Sequence, residues 1–184
     1  MTVDVRDLGL ARNAAVRAAR GEYVAFMDGD DLMSENWVTQ GIRTGNSSAS
    51  NVFLHPASNY IFGNGNTYIY LHRDMEDPEY KSSGLVAENY WTAISMGPRD
   101  LYLKNPYEMN QIKQGFAYED WSWHSKTVSQ GIVHKIVSNT SHFIRRKATG
   151  SLLSQTTSSG ALPRLYHLYD HAPLFEVPDQ TNME

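Results

Sequence analysis

One run of residues constrains the fold more than any other: a helix, a glycine, and a short apolar segment that leads into three aspartates. Residues 6–23, RDLGLARNAAVRAARGEY, have the periodicity of an amphipathic helix. Asp7 is suited to cap the start of this helix and Gly21 to end it. We expect the helix to pack closely on a sheet through one face of mainly small residues, formed by Leu8, Ala11, Ala15 and Ala18.

The apolar segment at residues 23–27 predicts a short buried strand, and Asp28, Gly29, Asp30 and Asp31 follow at its carboxyl end. A helix, a buried strand and a polar loop in this order are typical of an α/β sheet, where ligands bind at the carboxyl ends of strands. Clustered carboxylates repel one another unless a positive group joins them, and Mg²⁺ or Mn²⁺ prefers such oxygen ligands. The pattern indicates a site for a metal-bound phosphate ester or nucleotide; the alternative is a solvated turn before a helix.

The composition restricts the class of protein. The chain has 184 residues, of which 41% are hydrophobic and 20% charged, as in a folded globular protein. The net charge of −4 argues against a nucleic-acid partner, because proteins that bind nucleic acids normally have a basic surface. The absence of cysteine excludes disulfides, thiol nucleophiles and cysteine zinc sites. No apolar run reaches the roughly 20 residues that a membrane-spanning helix needs.

The remaining segments predict elements of both kinds, separated by polar loops. Residues 73–90 predict irregular structure, and Gly97-Pro98 interrupts the ambiguous segment 89–103. We expect a helix at 34–45 capped by Ser34, strands at 51–56 and 59–72 with a hairpin turn at 63–66, a helix from Asp120 to Gly131, two strand-like pieces within 133–147, a Ser/Thr/Gly-rich connector at 149–161, and a short helix from Pro163.

A second acidic pair, Glu119 and Asp120, precedes two tryptophans at the start of a predicted helix. A carboxylate here could simply be stabilised by the free N–H groups of the first helical turn. The functional alternative is a general base that takes the proton of an acceptor hydroxyl. Trp121 and Trp123 could offer a flat face to a sugar, although aromatic residues in a helix more often belong to the core.

Taken in order, these motifs resemble the family 2 glycosyltransferases, which have the GT-A fold. An acidic pair followed by an aromatic residue matches Glu119-Asp120-Trp121, and the segment HFIRRKATGSLL at 142–153 resembles a third landmark of the family. The resemblance covers roughly residues 5–155. The first landmark is a glycine, an Ala-Arg-Asn triplet, a helix, an Ala-x-Gly turn, a strand and an Asp-x-Asp, here Gly9, Ala11-Arg12-Asn13, Ala19-Arg20-Gly21 and Asp28-Gly29-Asp30.

The resemblance implies roles for several of these residues. Asp28 and Asp30 would hold the nucleotide-sugar and its Mn²⁺ or Mg²⁺ ion, with Asp30 as the more direct ligand. Asp120 would be the base in an inverting transfer, in which the acceptor hydroxyl attacks from the face opposite the departing nucleotide diphosphate. Arg12 and Asn13 would lie near the nucleotide.

The chain departs from the family pattern in its N-terminal portion. Family members begin with a β-α-β portion that grips the nucleotide base, and no such portion precedes Gly9. We therefore expect residues 1–155 to be an N-terminally truncated GT-A domain, followed by a linker and C-terminal extension at 156–184. A sheet edge left uncovered in this way favours a homodimer, and the chain alone can lack activity.

A second departure concerns a candidate metal ligand. Lys147 stands where many relatives have histidine; a charged lysine cannot bind a metal but can contact a phosphate. His134 and His142 are the nearby candidates for a third ligand. The alternative for each is an ordinary hydrogen-bonded or solvated side chain.

These arguments lead to one main hypothesis and two alternatives. We expect a partial, Rossmann-like GT-A fold, an α/β structure with a mixed sheet flanked by helices, and transfer of a hexose from a UDP-, GDP- or dTDP-linked sugar to a glycan hydroxyl. A location in the cytoplasm, or at the cytoplasmic face of a membrane through other parts of the parent protein, fits that activity. The alternatives are a non-catalytic fragment that binds glycan or protein, and a phosphoryl-transfer enzyme, which would lack its glycine-rich phosphate loop.

Overall fold

The computed structural model describes residues 4–48, 51–63, 67–147 and 156–166. Helices and strands alternate along these residues, and two short 3₁₀ turns lie at Ser82–Val86 and Ile112–Gln114. The remaining elements are α1 (Leu8–Ala18), β1 (Tyr23–Ala25), β2 (Leu32–Met33), α2 (Trp37–Ser47), β3 (Val52–Phe62), β4 (Tyr68–Leu71), β5 (Met96–Pro98), α3 (Arg99–Lys104), α4 (Glu119–Ser129) and β6 (Val133–Arg145).

The strands form a mixed sheet in the order β1-β5-β3-β6-β2, and β4 pairs with the distal half of β3. Its centre is the parallel pair of the two longest strands, β3 and β6, and all other pairs are antiparallel. The register between these central strands shifts between Pro56 and Ser58, opposite the stretch of β6 where Asn139 has a φ of 59°. This irregularity lets each strand continue unbroken. The strand predicted at 51–56 and the first arm of the hairpin predicted at 59–72 therefore join into β3, and the two pieces predicted within 133–147 join into β6.

Helices cover both faces of this sheet, as the sequence predicted. Phe53 and Leu54 are adjacent on β3 and therefore point to opposite faces. Phe53 packs in a cluster with side chains of α1, α3 and α4, whereas Leu54 packs in a cluster with Trp37 of α2. A third cluster is formed by Leu85, Tyr90, Trp91 and Val128. No helix in the described parts of the chain is long and apolar enough to cross a membrane.

The first helix begins where the sequence predicted but turns a different face to the protein. Asp7 caps α1 and accepts a hydrogen bond from the Leu10 N–H at 2.9 Å. The predicted small face is wrong, because Leu8 and Ala15 on it are exposed. The buried face is instead formed by Gly9, Arg12, Asn13, Ala14 and Val16. Arg12 and Asn13 can be buried here because both form hydrogen bonds with residues of distant segments, which are described below.

The strand before the aspartates is shorter and less buried than predicted. It spans Tyr23–Ala25, only Val24 is buried, and Met27 beyond it is 50% exposed. Within the described residues β1 pairs with β5 alone, so it forms an edge of the sheet. An edge strand contacts the core through alternate residues, which explains why its apolar run is only partly covered.

Other local predictions were confirmed or corrected. The hairpin of β3 and β4 is present, although residues 64–66 of its turn lie outside the described residues. Ser34 does not cap α2; the cap position is Asn36, and the Ser34 hydroxyl accepts the Ser141 N–H of β6 at 3.0 Å. Residues 163–166 are not helical, and residues 149–155 of the predicted connector are not described.

Candidate active site

The first acidic motif, Asp28 to Asp31, contains one buried carboxylate that holds the loop in place. Asp31 is 8% exposed and accepts hydrogen bonds from His142 Nε2 at 2.9 Å and the Arg145 N–H at 3.0 Å. Both partners lie on β6, so this aspartate fastens the loop to the centre of the sheet. The sequence did not distinguish Asp31 from its neighbours, because its partners lie more than 110 residues away.

The other two aspartates of the motif are accessible. Asp30 forms a 2.7 Å ion pair with Lys147, and this hydrogen-bonded partner lowers the pKa of the exposed Asp30 carboxyl. Asp28 lies 3.8 Å from the Arg12 guanidinium; partial burial nevertheless raises the pKa of Asp28, with Arg12 opposing the shift. The motif therefore presents two carboxylates to solvent, with Lys147 beside Asp30. The predicted contact of Lys147 with a phosphate stays a prediction.

Arg12 connects the two acidic motifs. Its buried guanidinium forms a 2.7 Å ion pair with Glu119, lies 3.8 Å from Asp28, and stands 5.4 Å from the centre of the Tyr107 ring. Burial opposes its charge, but Tyr107, Glu119 and Asp28 together raise the pKa of Arg12 above its usual range. A permanent positive charge thus joins the loop after β1 to the start of α4.

Glu119 is the buried member of the second motif. It is 8% exposed, and its second oxygen accepts the Asn110 side-chain N–H at 3.0 Å. Arg12 and Asn110 thus engage both oxygens of this carboxylate, which fits a structural function at the start of α4. The residue before it, Tyr118, has a φ of 59°, a backbone conformation that is uncommon outside glycine.

Asp120 is the half-buried carboxylate beside Glu119. It lies in the first turn of α4, whose cap position is Tyr118, and its Oδ2 accepts the Asn89 side-chain N–H at 3.2 Å. Burial, reinforced by the Glu119 carboxylate, raises the pKa of Asp120 to about 6, and Arg12 opposes this shift. A carboxyl with this pKa can take up a proton near neutral pH, which is what a general base needs.

Asn13 and the tryptophans have structural contacts. Asn13 bonds the backbone of Tyr107 twice, through its amide N–H at 2.8 Å and its amide oxygen at 2.9 Å. Trp123 is 1% exposed and stacks on Tyr107, so the prediction of a sugar-binding face is wrong for this residue. Trp121 donates its indole N–H to the Leu85 carbonyl.

The family resemblance places Arg12 and Asn13 near a nucleotide, and this stays a prediction.

Histidines form an extended polar core that the sequence did not reveal. Within the described residues all five are buried: His55, His72, His124, His134 and His142. His142 and His72 both contact Asn59, and His142 continues to Asp31. One feature of the sequence could have indicated this core: histidines recur among the apolar residues of the segments that form β3 and β6. His134 and His142 form hydrogen bonds within this core. This is the alternative to metal ligation that the sequence analysis gave for both residues.

Three of these histidines bring ring nitrogens together within 4.8 Å, namely His55, His124 and His134. Because the Ile94 carbonyl can only accept, His55 Nδ1 carries the proton and its Nε2 accepts from His134 Nδ1 at 2.8 Å. His134 Nε2 can then accept from the Thr127 hydroxyl at 2.8 Å. Burial lowers the pKa of His134 to about 3, so the chain of hydrogen bonds is neutral. These contacts satisfy His55 and His134 without a metal ion.

Comparison with known proteins agrees with this geometry. Residues 4–153 match the model of the family described as glycosyl transferase family 2. EpsH of Bacillus subtilis (strain 168), assigned as a glycosyltransferase, is 36% identical over 53 residues, which are 29% of this chain and 15% of EpsH.

Solved structures of S. aureus TarS have a similar fold. TarS 1–349 in complex with UDP-GlcNAc aligns with a TM-score of 0.58 at 16% identity, over 84% of this chain and 43% of TarS 1–349. A further TarS structure aligns with a TM-score of 0.55, over 79% of this chain and 25% of the TarS chain. This likeness establishes the GT-A fold predicted from the sequence, and the chain spans less than half of each relative.

Proposed function

Because this chain belongs to glycosyl transferase family 2, we propose that it takes part in moving a sugar from a nucleotide-diphospho-sugar to a glycan hydroxyl, with inversion at the anomeric carbon. One observation carries this proposal. Arg12 joins Asp28, in a motif suited to a metal and a diphosphate, to the start of α4, where Asp120 is a carboxyl with a pKa of about 6. The carboxylate suited to a metal and a diphosphate and the carboxyl suited to act as a base are therefore neighbours.

In the proposed step Asp120 acts as the general base. The acceptor oxygen forms a bond to the anomeric carbon while the bond from that carbon to the diphosphate oxygen breaks, and the hydroxyl proton passes to Asp120. Attack opposite the leaving group inverts the configuration. The base must be ionised beforehand, so the rate is expected to rise with pH through about 6.

A divalent ion, Mg²⁺ or Mn²⁺, is part of the proposal. The chemistry of the residues fits it: Asp28 and Asp30 offer carboxylate oxygens on half-exposed side chains, and a Cβ at Gly29 would meet no atom within 4 Å. When bound, the ion would offset negative charge on the departing diphosphate. Lys147 is placed to contact a phosphate once Asp30 binds the ion.

A UDP-linked hexose is the donor that we propose to test first, since the TarS structure that shares this fold holds UDP-GlcNAc. GDP- and dTDP-linked sugars are the alternatives. A homodimer through the exposed edge of β1 and a cytoplasmic location also stay proposals, as does polysaccharide synthesis. The activity of the whole parent protein is part of the same proposal, because this chain spans 43% of TarS 1–349.

The proposal can be tested by calorimetric titration with UDP and Mn²⁺ together, and with each alone. We expect binding of UDP that requires Mn²⁺ and is lost in Asp30→Asn. The matched control is Asp100→Asn, which removes the same charge from an exposed residue in the first turn of α3. Binding of UDP that is unaffected by Mn²⁺ and by Asp30→Asn would contradict the assigned metal–nucleotide site.

Transfer itself is tested by supplying the chain, and a longer protein that contains it, with Mn²⁺ and a panel of nucleotide-sugars. Release of nucleotide diphosphate with sugar transfer or hydrolysis is the expected result, and Asp120→Asn should abolish it. A full-length parent that neither transfers nor hydrolyses any of these sugars would refute the proposed function.

A further inference from the structure

Asn89 stands between the proposed base and the histidine core. Its amide N–H donates to Asp120 Oδ2 at 3.2 Å, and its amide oxygen accepts from His124 Nδ1 at 3.0 Å. Asn89 belongs to neither acidic motif and lies 31 residues before Asp120 in the chain. Asp120 and His124 lie one turn apart on α4, and the fold brings Asn89 against both.

The Asp120 carboxylate determines which way the Asn89 amide points. An ionised carboxylate can only accept a hydrogen bond, so the Asn89 NH₂ faces Asp120 and its oxygen faces His124. Burial lowers the pKa of His124 well below its usual value, which keeps the ring neutral with a single N–H. The Asn89 oxygen selects the tautomer that carries this proton on Nδ1. Turning the amide around would place its oxygen against the Asp120 carboxylate, a repulsive contact.

The surrounding structure holds Asn89 in place. The Tyr70 hydroxyl donates to the Asn89 carbonyl, and the next two residues, Tyr90 and Trp91, are buried in the core. The His124 ring packs edge-on against Trp91, with ring centres 5.3 Å apart. Asn89 is therefore supported through its backbone, through its neighbours in sequence and through its own partner.

We propose that Asn89 is a positioning residue for Asp120, and that His124 supports Asn89 by donating to its amide oxygen. This rests on the proposed function of Asp120 as the base. The N–H of Asn89 binds Oδ2 and stabilises the ionised carboxylate, in addition to the backbone N–H groups of Trp121 and Asp120 at the start of α4. A hydrogen bond to a charged group is among the stronger ones in proteins, so its loss should be measurable.

The direct test is the titration of Asp120 by ¹³C NMR of labelled aspartate carboxyls, assigned with Asp120→Asn. In Asn89→Ala the midpoint should rise by about one pH unit, because the donor to the charged form is lost. Asn89→Asp keeps the size and the acceptor for His124 but adds a like charge, so the rise should be larger. His124→Phe should give a smaller rise, since the amide loses the donor to its oxygen.

Asn46→Asp is the matched control for Asn89→Asp. It adds the same charge at an exposed position of α2, on the opposite face of the sheet from α4, and keeps the acceptor for the Tyr23 hydroxyl. It should leave the midpoint of Asp120 unchanged. Thermal unfolding of each variant shows whether it is folded. An unchanged Asp120 midpoint in both folded Asn89 variants would overturn the proposal.

The titration needs no turnover, so it remains decisive even if sugar transfer is never observed. Where turnover is measured, Asn89→Ala should lower kcat about tenfold, leave KM for the donor unchanged, and move the acidic limb of the pH profile upward with the NMR midpoint. A fall in kcat with an unmoved acidic limb would show that Asn89 does not act through Asp120.

Discussion

The two acidic motifs divide their carboxylates in the same way but place them in different surroundings. In each motif one acid is buried and bound to protein: Asp31 to β6 in the first, and Glu119 to Arg12 in the second. In each, a neighbouring acid is left available, Asp30 on an exposed loop and Asp120 in the first turn of α4. Neighbouring carboxylates thus differ in their surroundings: one is engaged by protein groups, and the other is suited to a ligand.

The surroundings of the two available acids explain what each can do. Lys147 lowers the pKa of Asp30, so this carboxylate stays ionised and can attract a cation. Burial and Glu119 raise the pKa of Asp120 to about 6, so this carboxyl can exchange a proton near neutral pH. The comparison shows that burial and neighbouring charge, more than residue type, separate a carboxylate suited to a cation from one suited to proton exchange.

The largest expected effect comes from the available acid of the second motif. Asp120→Asn should lower the transfer rate by roughly 10²- to 10⁴-fold, the usual contribution of a general base, while the protein stays folded. The measurement is initial rate against donor concentration, with circular dichroism as the check on folding. A variant that retains more than half of the activity would show that Asp120 is not the general base.

The buried acid of the same motif should instead affect stability. Glu119→Ala leaves the buried Arg12 with only its 3.8 Å contact to Asp28, and breaking a buried ion pair costs about 3–5 kcal/mol of unfolding free energy. Urea denaturation measures this loss. The control is the double variant Arg12→Met, Glu119→Leu, which removes both charges and should recover much of the stability. Equal stability of Glu119→Ala and wild type would contradict a structural function.

The same contrast can be tested within the first motif. Asp31→Asn weakens the hydrogen bonds to His142 and the Arg145 N–H, so we expect a loss of about 1.5–3 kcal/mol in urea denaturation. Asp30→Asn alters only an exposed ion pair and should leave the unfolding free energy unchanged. Similar stabilities of the two variants would remove the distinction between buried and available acids in this loop.

The smallest effect concerns the dependence of stability on pH. The pKa of Asp120 is raised to about 6 in the folded protein, so folding favours the protonated carboxyl. This favourable contribution is present below about pH 4 and is lost as the pH rises to about 6. Wild type should therefore lose about 1–3 kcal/mol relative to Asp120→Asn between pH 4 and pH 7. Parallel stability curves for the two proteins would refute the raised pKa.

Much of the local structure could be predicted from the sequence. The start of α1 at its Asp7 cap, the hairpin of β3 and β4, and the position of Glu119 and Asp120 in the first turn of a helix all follow from short-range patterns. The family also followed from motif order, because the landmarks are short segments whose spacing is visible without a fold. These features depend on residues close together in the chain, where propensity and periodicity act.

The errors share one cause. The predicted face of α1 was wrong because periodicity counts Arg12 and Asn13 as surface residues, and it cannot know that Glu119 and the Tyr107 backbone satisfy them. Ser34 was assigned as a cap because it precedes a helix, but its hydroxyl bonds to Ser141 on another strand. In each case a partner about 100 residues away decided the outcome.

The sequence by itself determined the order of the two acidic motifs along the chain, which is the order found in family 2 glycosyltransferases. It also determined that a helix and a strand precede the first motif and that a helix begins at the second. Only the tertiary structure decided which acid of each motif is buried, that Arg12 joins them, and that Asn89 and His124 stand behind Asp120. The physical reason is that the charge and orientation of a carboxylate depend on burial and on partners in space. Neither can be read from neighbours along the chain.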